Sequence, residues 1–82
     1  MERQIMTVSQ IETEILRRAK VAALERRERF PVAIPLPRIT RYPEPNSEGV
    51  HWKLNHATEP GSNYAFAAAL EIGKIWDISP PQ

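Results

Sequence analysis

The sequence predicts an α+β fold in a single small domain that spans residues 1–82. Three observations predict it: a helical apolar pattern near the N-terminus, an alternating apolar and polar stretch around Trp52, and a second, mostly apolar helical segment. A chain of 82 residues builds one thin core. We therefore expect a long N-terminal amphipathic helix, a Pro-rich extended arm, one or two antiparallel strands and a buried C-terminal helix.

The first helix is predicted over about residues 9–29. Ser9 is followed three residues later by Glu12, which is the spacing of a capping box at a helix N-terminus. Pro31 ends the helix, because the residue before a proline is biased away from helical geometry. The apolar residues at helical spacing form one face that should pack on the core: Val8, Ile11, Ile15, Leu16, Ala19, Ala22, Ala23 and Phe30.

Residues 30–49 form the Pro-rich extended segment. Five of the eight prolines lie between positions 30 and 45, and each removes a backbone donor, so this segment is not a central strand. The two conformations still open to this segment are polyproline II and an edge strand. Val32, Ile34 and Leu36 alternate along the extended chain, and we expect them to lie across the core.

Residues 50–82 are predicted to form a strand and a helix, after a turn in which Gly49 takes a positive φ. Residues 50–55 alternate between apolar and polar, which is the pattern of a half-buried strand. Trp52 stands on the apolar face of this strand. We therefore expect Trp52 at the centre of the core.

The second helix is predicted over about residues 63–76, with Ser62 as its N-cap. On a helical-wheel projection this helix is apolar on most sides, and Glu71 and Lys74 mark the one edge expected to face solvent. Such a helix either lies deep in the core or meets another chain, so we expect a homodimer. The alternative that residues 70–78 contain a strand stays open.

The charge of the chain is polarised along the sequence. Residues 17–41 contain eight basic and two acidic residues, a balance of +6, whereas the rest of the chain has a balance of −5 and the whole chain +1. This uneven charge distribution indicates what kind of partner the protein binds, and it says little about the fold. A solvated face that complements the helix macrodipole is the alternative interpretation. The candidate partner-binding residues are Arg17, Lys20, Leu24, Arg27, Arg38 and Arg41.

Other classes of function find little support in the sequence. The absence of Cys rules out disulfides and thiolate metal sites and favours the cytoplasm. We expect no signal peptide and no membrane span, because the chain has no apolar run of about 20 residues. His51 and His56 point to opposite sides of the predicted strand, so no metal site is expected. No spacing indicates catalytic residues or a cofactor.

The sequence therefore predicts a small soluble non-catalytic binding protein, an adaptor, inhibitor or regulatory subunit that acts through protein–protein contacts. Its partner is expected to have an acidic surface. The alternative is an accessory protein that binds nucleic acid through the basic residues 17–41. Salt separates the two hypotheses, because a complex held by phosphate contacts weakens steeply with ionic strength.

Overall fold

Two helices and two short strand pairs make up the fold, in a computed structural model that describes residues 3–26, 36–55 and 61–78. The predicted mixed α+β class is confirmed. In chain order the elements are β1 (Gln4–Met6), α1 (Val8–Glu25), β2 (Ile39–Arg41), β3 (Trp52–Leu54), α2 (Ser62–Gly73) and β4 (Trp76–Ile78).

The N-terminus of α1 is capped by Thr7 and Gln10, so the predicted cap of Ser9 and Glu12 is wrong. Thr7 Oγ1 accepts the Gln10 N–H at 3.1 Å, and Gln10 Oε1 accepts the Thr7 N–H at 2.9 Å. Thr7 with Gln10 and Ser9 with Glu12 both have the three-residue spacing of a capping box, so the spacing alone does not distinguish them. Glu12 is engaged elsewhere, because its Oε2 accepts the N–H of Ile39, the first residue of β2, at 3.0 Å.

The structure gives α1 to Glu25 with Arg26 as its C-cap, and the predicted end near residue 29 lies outside the described residues. Arg26 closes the helix by donating its amide to a carbonyl one turn earlier. The guanidinium of Arg26 lies 5.8 Å from the centre of the Tyr64 ring, in cation–π geometry.

The four strands form two separate pairs. β2 and β3 are antiparallel, with Arg41 opposite Trp52, as the predicted antiparallel strands require. β1 and β4 are parallel, with Gln4 opposite Trp76, and the sequence did not predict this pair. Three residues per strand are too few to show an alternating pattern. The sequence left open whether residues 70–78 form a helix or a strand. They contain both, because α2 ends at Gly73 and β4 spans Trp76–Ile78.

The Pro-rich segment is described only from residue 36 onward, so Val32 and Ile34 lie outside the described residues. Leu36 is 62% exposed, and the prediction that it covers the core is wrong. Pro37 is buried instead. Because successive side chains of an extended chain point to opposite sides, burial of Pro37 turns Leu36 toward solvent. β2 follows as an edge strand, one of the two predicted conformations.

The turn before β3 is built around Asn46 and Gly49. Asn46 Oδ1 accepts the amides of Glu48 at 2.9 Å and of Val50 at 3.2 Å. Gly49 has a φ of +79°, as predicted for a residue that needs the left-handed region. Arg3 holds this turn against the end of α2, since its guanidinium donates to the carbonyl of Glu48 at 2.9 Å and its Nε donates to the carbonyl at the end of α2 at 2.7 Å.

The second helix, α2, begins at Ser62 with Gly61 as its N-cap, so the prediction of Ser62 as the capping residue is wrong. The N-terminus of α2 therefore has no hydrogen bond from a capping side chain. The expectation of a deeply buried helix holds for one face only. Phe66 is 54% exposed and Leu70 is 47% exposed, because the remaining elements cover the opposite side.

The core lies between α1, α2 and β3, and Trp52 is 2% exposed within it, as predicted. α1 and α2 pack directly on each other. Along the described ranges, neither helix combines the length and the apolar character that a bilayer crossing needs. The buried apolar residues are Ile11, Ile15, Ala19, Val50, Trp52, Tyr64, Ala65, Ala68, Ala69, Ile72 and Ile78.

Candidate partner-binding surface

One side of α1 carries a row of exposed side chains opposite its core face. The core face consists of Ile11, Ile15 and Ala19, each 0% exposed. The opposite side carries residues spaced alternately three and four apart, a spacing that places them on one helix face. We call this row the outer stripe of α1; it consists of Gln10, Thr13, Arg17, Lys20 and Leu24.

A groove of about 300 Å³ lies beside the N-terminal end of the outer stripe. Gln10, Thr13 and Arg17 line it from the helix. Met6 and Trp76 line it from the strand side, and both are partly buried residues that pack against the core. The groove therefore combines apolar side chains held by the core with polar side chains of the outer stripe.

The C-terminal end of the outer stripe is apolar. Leu24 is 78% exposed, and Val21, one position off the stripe, is 41% exposed. Single exposed apolar residues are common on protein surfaces. Here, however, Leu24 shares a helix face with Lys20 and Arg17, and this mixture of apolar and basic side chains is the one that the sequence predicted.

The positive charges of the outer stripe differ in how they are compensated. Glu14 Oε1 accepts a hydrogen bond from Arg17 Nε, and Arg18 Nε lies 3.6 Å from the same oxygen. Lys20 has no ion pair within the described ranges. Among the described residues Arg17 makes its hydrogen bond through Nε, and its terminal nitrogens have donors for other acceptors. Two cations of the stripe thus remain able to bind a carboxylate.

Two other predicted partner-binding residues, Arg38 and Arg41, do not lie on the outer stripe. Arg38 lies 3.8 Å from Glu12, which is about 140° around the helix axis from Arg17. Arg41 is exposed on β2. Arg27 lies outside the described residues. The described members of the predicted set therefore divide into a part on α1 and a part at β2 and the residue before it.

The exposed face of α2 forms a second apolar surface. Phe66 and Leu70 lie four residues apart and therefore on one side of the helix, next to exposed Ala67. Glu71 and Lys74 pair at 3.2 Å at its edge. This surface therefore carries no net charge, in contrast to the outer stripe of α1.

A buried carboxylate, which sequence reasoning missed, joins β4 to the residue before β3. Asp77 Oδ1 accepts the amides of His51 and Ile78, each at 2.8 Å, and Oδ2 lies 2.8 Å from His51 Nδ1. Burial raises the pKa of Asp77, but the hydrogen bonds from His51 and Ile78 outweigh it and hold that pKa below its ordinary value. Both oxygens are occupied by structural contacts.

Of the two histidines considered as metal ligands, only His51 is described. Its Nδ1 is engaged with Asp77, and His56 lies outside the described residues. Across residues 3–26, 36–55 and 61–78 no group of three His, Cys, Asp or Glu could hold an ion.

No protein family, curated protein or solved structure matches this chain.

Proposed function

We propose that this protein is a small, soluble, non-catalytic binding protein of the cytoplasm that acts through contacts with another protein. One observation carries the proposal: Leu24, 78% exposed, stands on the same helix face as Lys20 and Arg17. A partner gains free energy by covering an exposed leucine, and an acidic partner is attracted by the adjacent cations. An adaptor, an inhibitor or a regulatory subunit would use such a surface.

The buried carboxylate supports a non-catalytic role. A catalytic acid or base needs an oxygen within reach of a substrate proton. Asp77 is 8% exposed, and its two oxygens are engaged with His51 and Ile78. Its lowered pKa follows from these contacts, so this perturbed group serves the fold.

A nucleic-acid-binding role is the second candidate, and the surface near β2 favours it. Arg41 is exposed, Arg38 is 66% exposed at its side chain, and Tyr42 next to Arg41 is 38% exposed. A tyrosine ring flanked by arginines is able to stack on an unpaired base while the cations hold phosphates. This role requires a strongly salt-dependent affinity.

Self-association through α2 is a further part of the proposal. Phe66 and Leu70 form an apolar surface whose bordering charges, Glu71 and Lys74, neutralise each other. A second copy would meet no repulsion there. Sedimentation at micromolar concentration should show a dimer, and Leu70→Glu should return it to a monomer. A monomer of about 9 kDa at every concentration, for the unchanged protein, would remove this part.

The proposed function is tested by isolating complexes from the native cells in two portions, one treated with nuclease and one untreated. The triple variant with Arg17, Lys20 and Arg27 changed to Ser should lose its protein partner. Arg17 and Lys20 are exposed, and because exposed charges contribute only about 0–1 kcal/mol, we expect these changes to leave the stability nearly unchanged. Lys53→Ser, an exposed change on β3, is the control. Recovery of nucleic acid alone, with a complex lost between about 50 and 200 mM salt, would favour the second candidate.

A further inference from the structure

We propose that the outer stripe of α1, together with the groove at Met6 and Trp76, is a docking site for an acidic amphipathic helix of another protein. This inference rests on the proposed function and specifies the partner's chemistry. The partner helix places one apolar side chain in the groove and a second against Leu24, and its acidic residues lie between these two anchors.

The length of the outer stripe favours a helix as the occupant. Its residues, from Gln10 to Leu24, form one straight row along a face of α1. Fourteen residues of helix span about 21 Å. A partner helix of about four turns therefore covers the whole stripe, whereas a short loop would reach only one end.

The two ends of the stripe supply apolar contacts of different kinds. At the N-terminal end, Met6 and Trp76 line a groove of about 300 Å³, which is the lower limit of ordinary ligand pockets and fits a single large side chain. At the C-terminal end, the side chains of Leu24 and Val21 are exposed to solvent. An anchor at each end fixes the register of the partner.

The middle of the stripe selects for carboxylates. Lys20 is exposed and has no ion pair within the described residues, and Arg17 makes its hydrogen bond to Glu14 through Nε. The terminal nitrogens of an arginine match a carboxylate in bidentate geometry. The apolar side chains at the two ends, Met6 and Trp76 in the groove and Leu24 beyond Lys20, offer nothing to a phosphate backbone. A basic centre between apolar ends therefore favours an acidic amphipathic protein helix over nucleic acid at this site.

The test uses a synthetic helical peptide of about 18 residues, with leucines near both ends and glutamates between them on the same face. Fluorescence anisotropy should show saturable binding. NMR should show a shift of the indole N–H of Trp76 that exceeds the shift of the Trp52 indole N–H, which is buried and donates to the backbone carbonyl of Trp76 at 3.3 Å. No binding up to about 1 mM peptide would overturn the inference, as would stronger binding of a single-stranded DNA of similar length.

Two matched pairs of variants locate the site. Leu24→Ala and Lys20→Glu should each weaken peptide binding by about tenfold or more. Leu36→Ala, at a position 62% exposed off the stripe, and Lys53→Glu, exposed on β3, should change it by less than about twofold. Equal effects of the stripe variants and their controls would overturn the site.

The outcome with the native partner separates this inference from the proposed function. If a protein partner binds the Leu24→Ala and Lys20→Glu variants as tightly as the parent protein, the docking site is wrong while the binding function stands. If a Leu70→Glu variant alone loses that partner, the site lies on α2. If no protein partner is recovered, the proposed function fails as well, and the peptide result then has no biological counterpart.

Discussion

The Asp77→Ala substitution should strongly destabilise the protein, because it removes the acceptor that joins β4 to the residue before β3. The buried amide of Ile78 loses its bond, and an unsatisfied buried donor costs about 1–3 kcal/mol. The amide and the ring of His51 lose partners too, but His51 is half-buried and regains water in part. We expect a loss of about 2–4 kcal/mol, a large share of the roughly 4–12 kcal/mol of a domain this size.

The Asp77→Asn substitution is the matched control, because the amide has nearly the same shape. Its oxygen still accepts the amides of His51 and Ile78, and its nitrogen donates to the ring of His51 when Nδ1 carries no proton. The expected loss at pH 7 is about 0.5–1.5 kcal/mol. Urea unfolding followed by tryptophan fluorescence measures both variants against the parent protein.

The pH dependence of this difference has a definite sign. The pKa of Asp77 in the folded protein lies below its ordinary value of 3.8. Its contribution to stability is therefore complete above the unfolded pKa and is lost as the pH falls through the folded pKa. Below about pH 5, the gap between the parent protein and Asp77→Asn should shrink as the solution is acidified. A constant gap over this range, or a loss below about 1 kcal/mol for Asp77→Ala, would refute the reasoning.

Three further substitutions test other parts of the fold by the same unfolding measurement. Trp52→Ala should cost about 3–5 kcal/mol, because it opens a cavity in the core, and a loss below about 1 kcal/mol would contradict the core as described. Gly49→Ala should cost about 1–2 kcal/mol, because its φ of +79° is strained for alanine, and an unchanged stability would contradict that backbone conformation. Glu12→Ala should cost about 1–2 kcal/mol, because it leaves the amide of Ile39 without its acceptor. Glu12→Gln should retain most of the stability, because its side-chain oxygen still accepts that amide. Equal losses of stability in the two variants would argue against this hydrogen bond.

The parts of the fold that rest on local periodicity were predictable from the sequence. The core face of α1, with Ile11 and Ile15, follows from helical spacing, and the burial of Trp52 follows from alternation in β3. The outer stripe was also partly predictable, because Arg17, Lys20 and Leu24 lie on one helix face by spacing alone. Each of these patterns depends on neighbours within a few residues.

The parts that rest on distant contacts were not predictable. Thr7 and Ser9 each precede a Gln or Glu at capping distance, and only the contact of Glu12 with β2 decides between them. The groove arises where Met6 and Trp76 meet through a parallel strand pair, which no local pattern marks. The fold class, the core face of α1 and the outer stripe were thus within reach of sequence reasoning, whereas the β1–β4 pair and the groove were not.

The pairing of β1 with β4 has a kinetic consequence. Arg3 and the carbonyl it binds at Gly73 are 70 residues apart in the chain, so nearly the whole polypeptide must be closed into a loop before this contact forms. Contacts of such large sequence separation raise the contact order and slow folding. We expect the helices and the hairpin of β2 with β3 to form first and β1 to dock on β4 afterwards. Since Met6 and Trp76 come from these two strands, the groove is complete only once this late step has taken place.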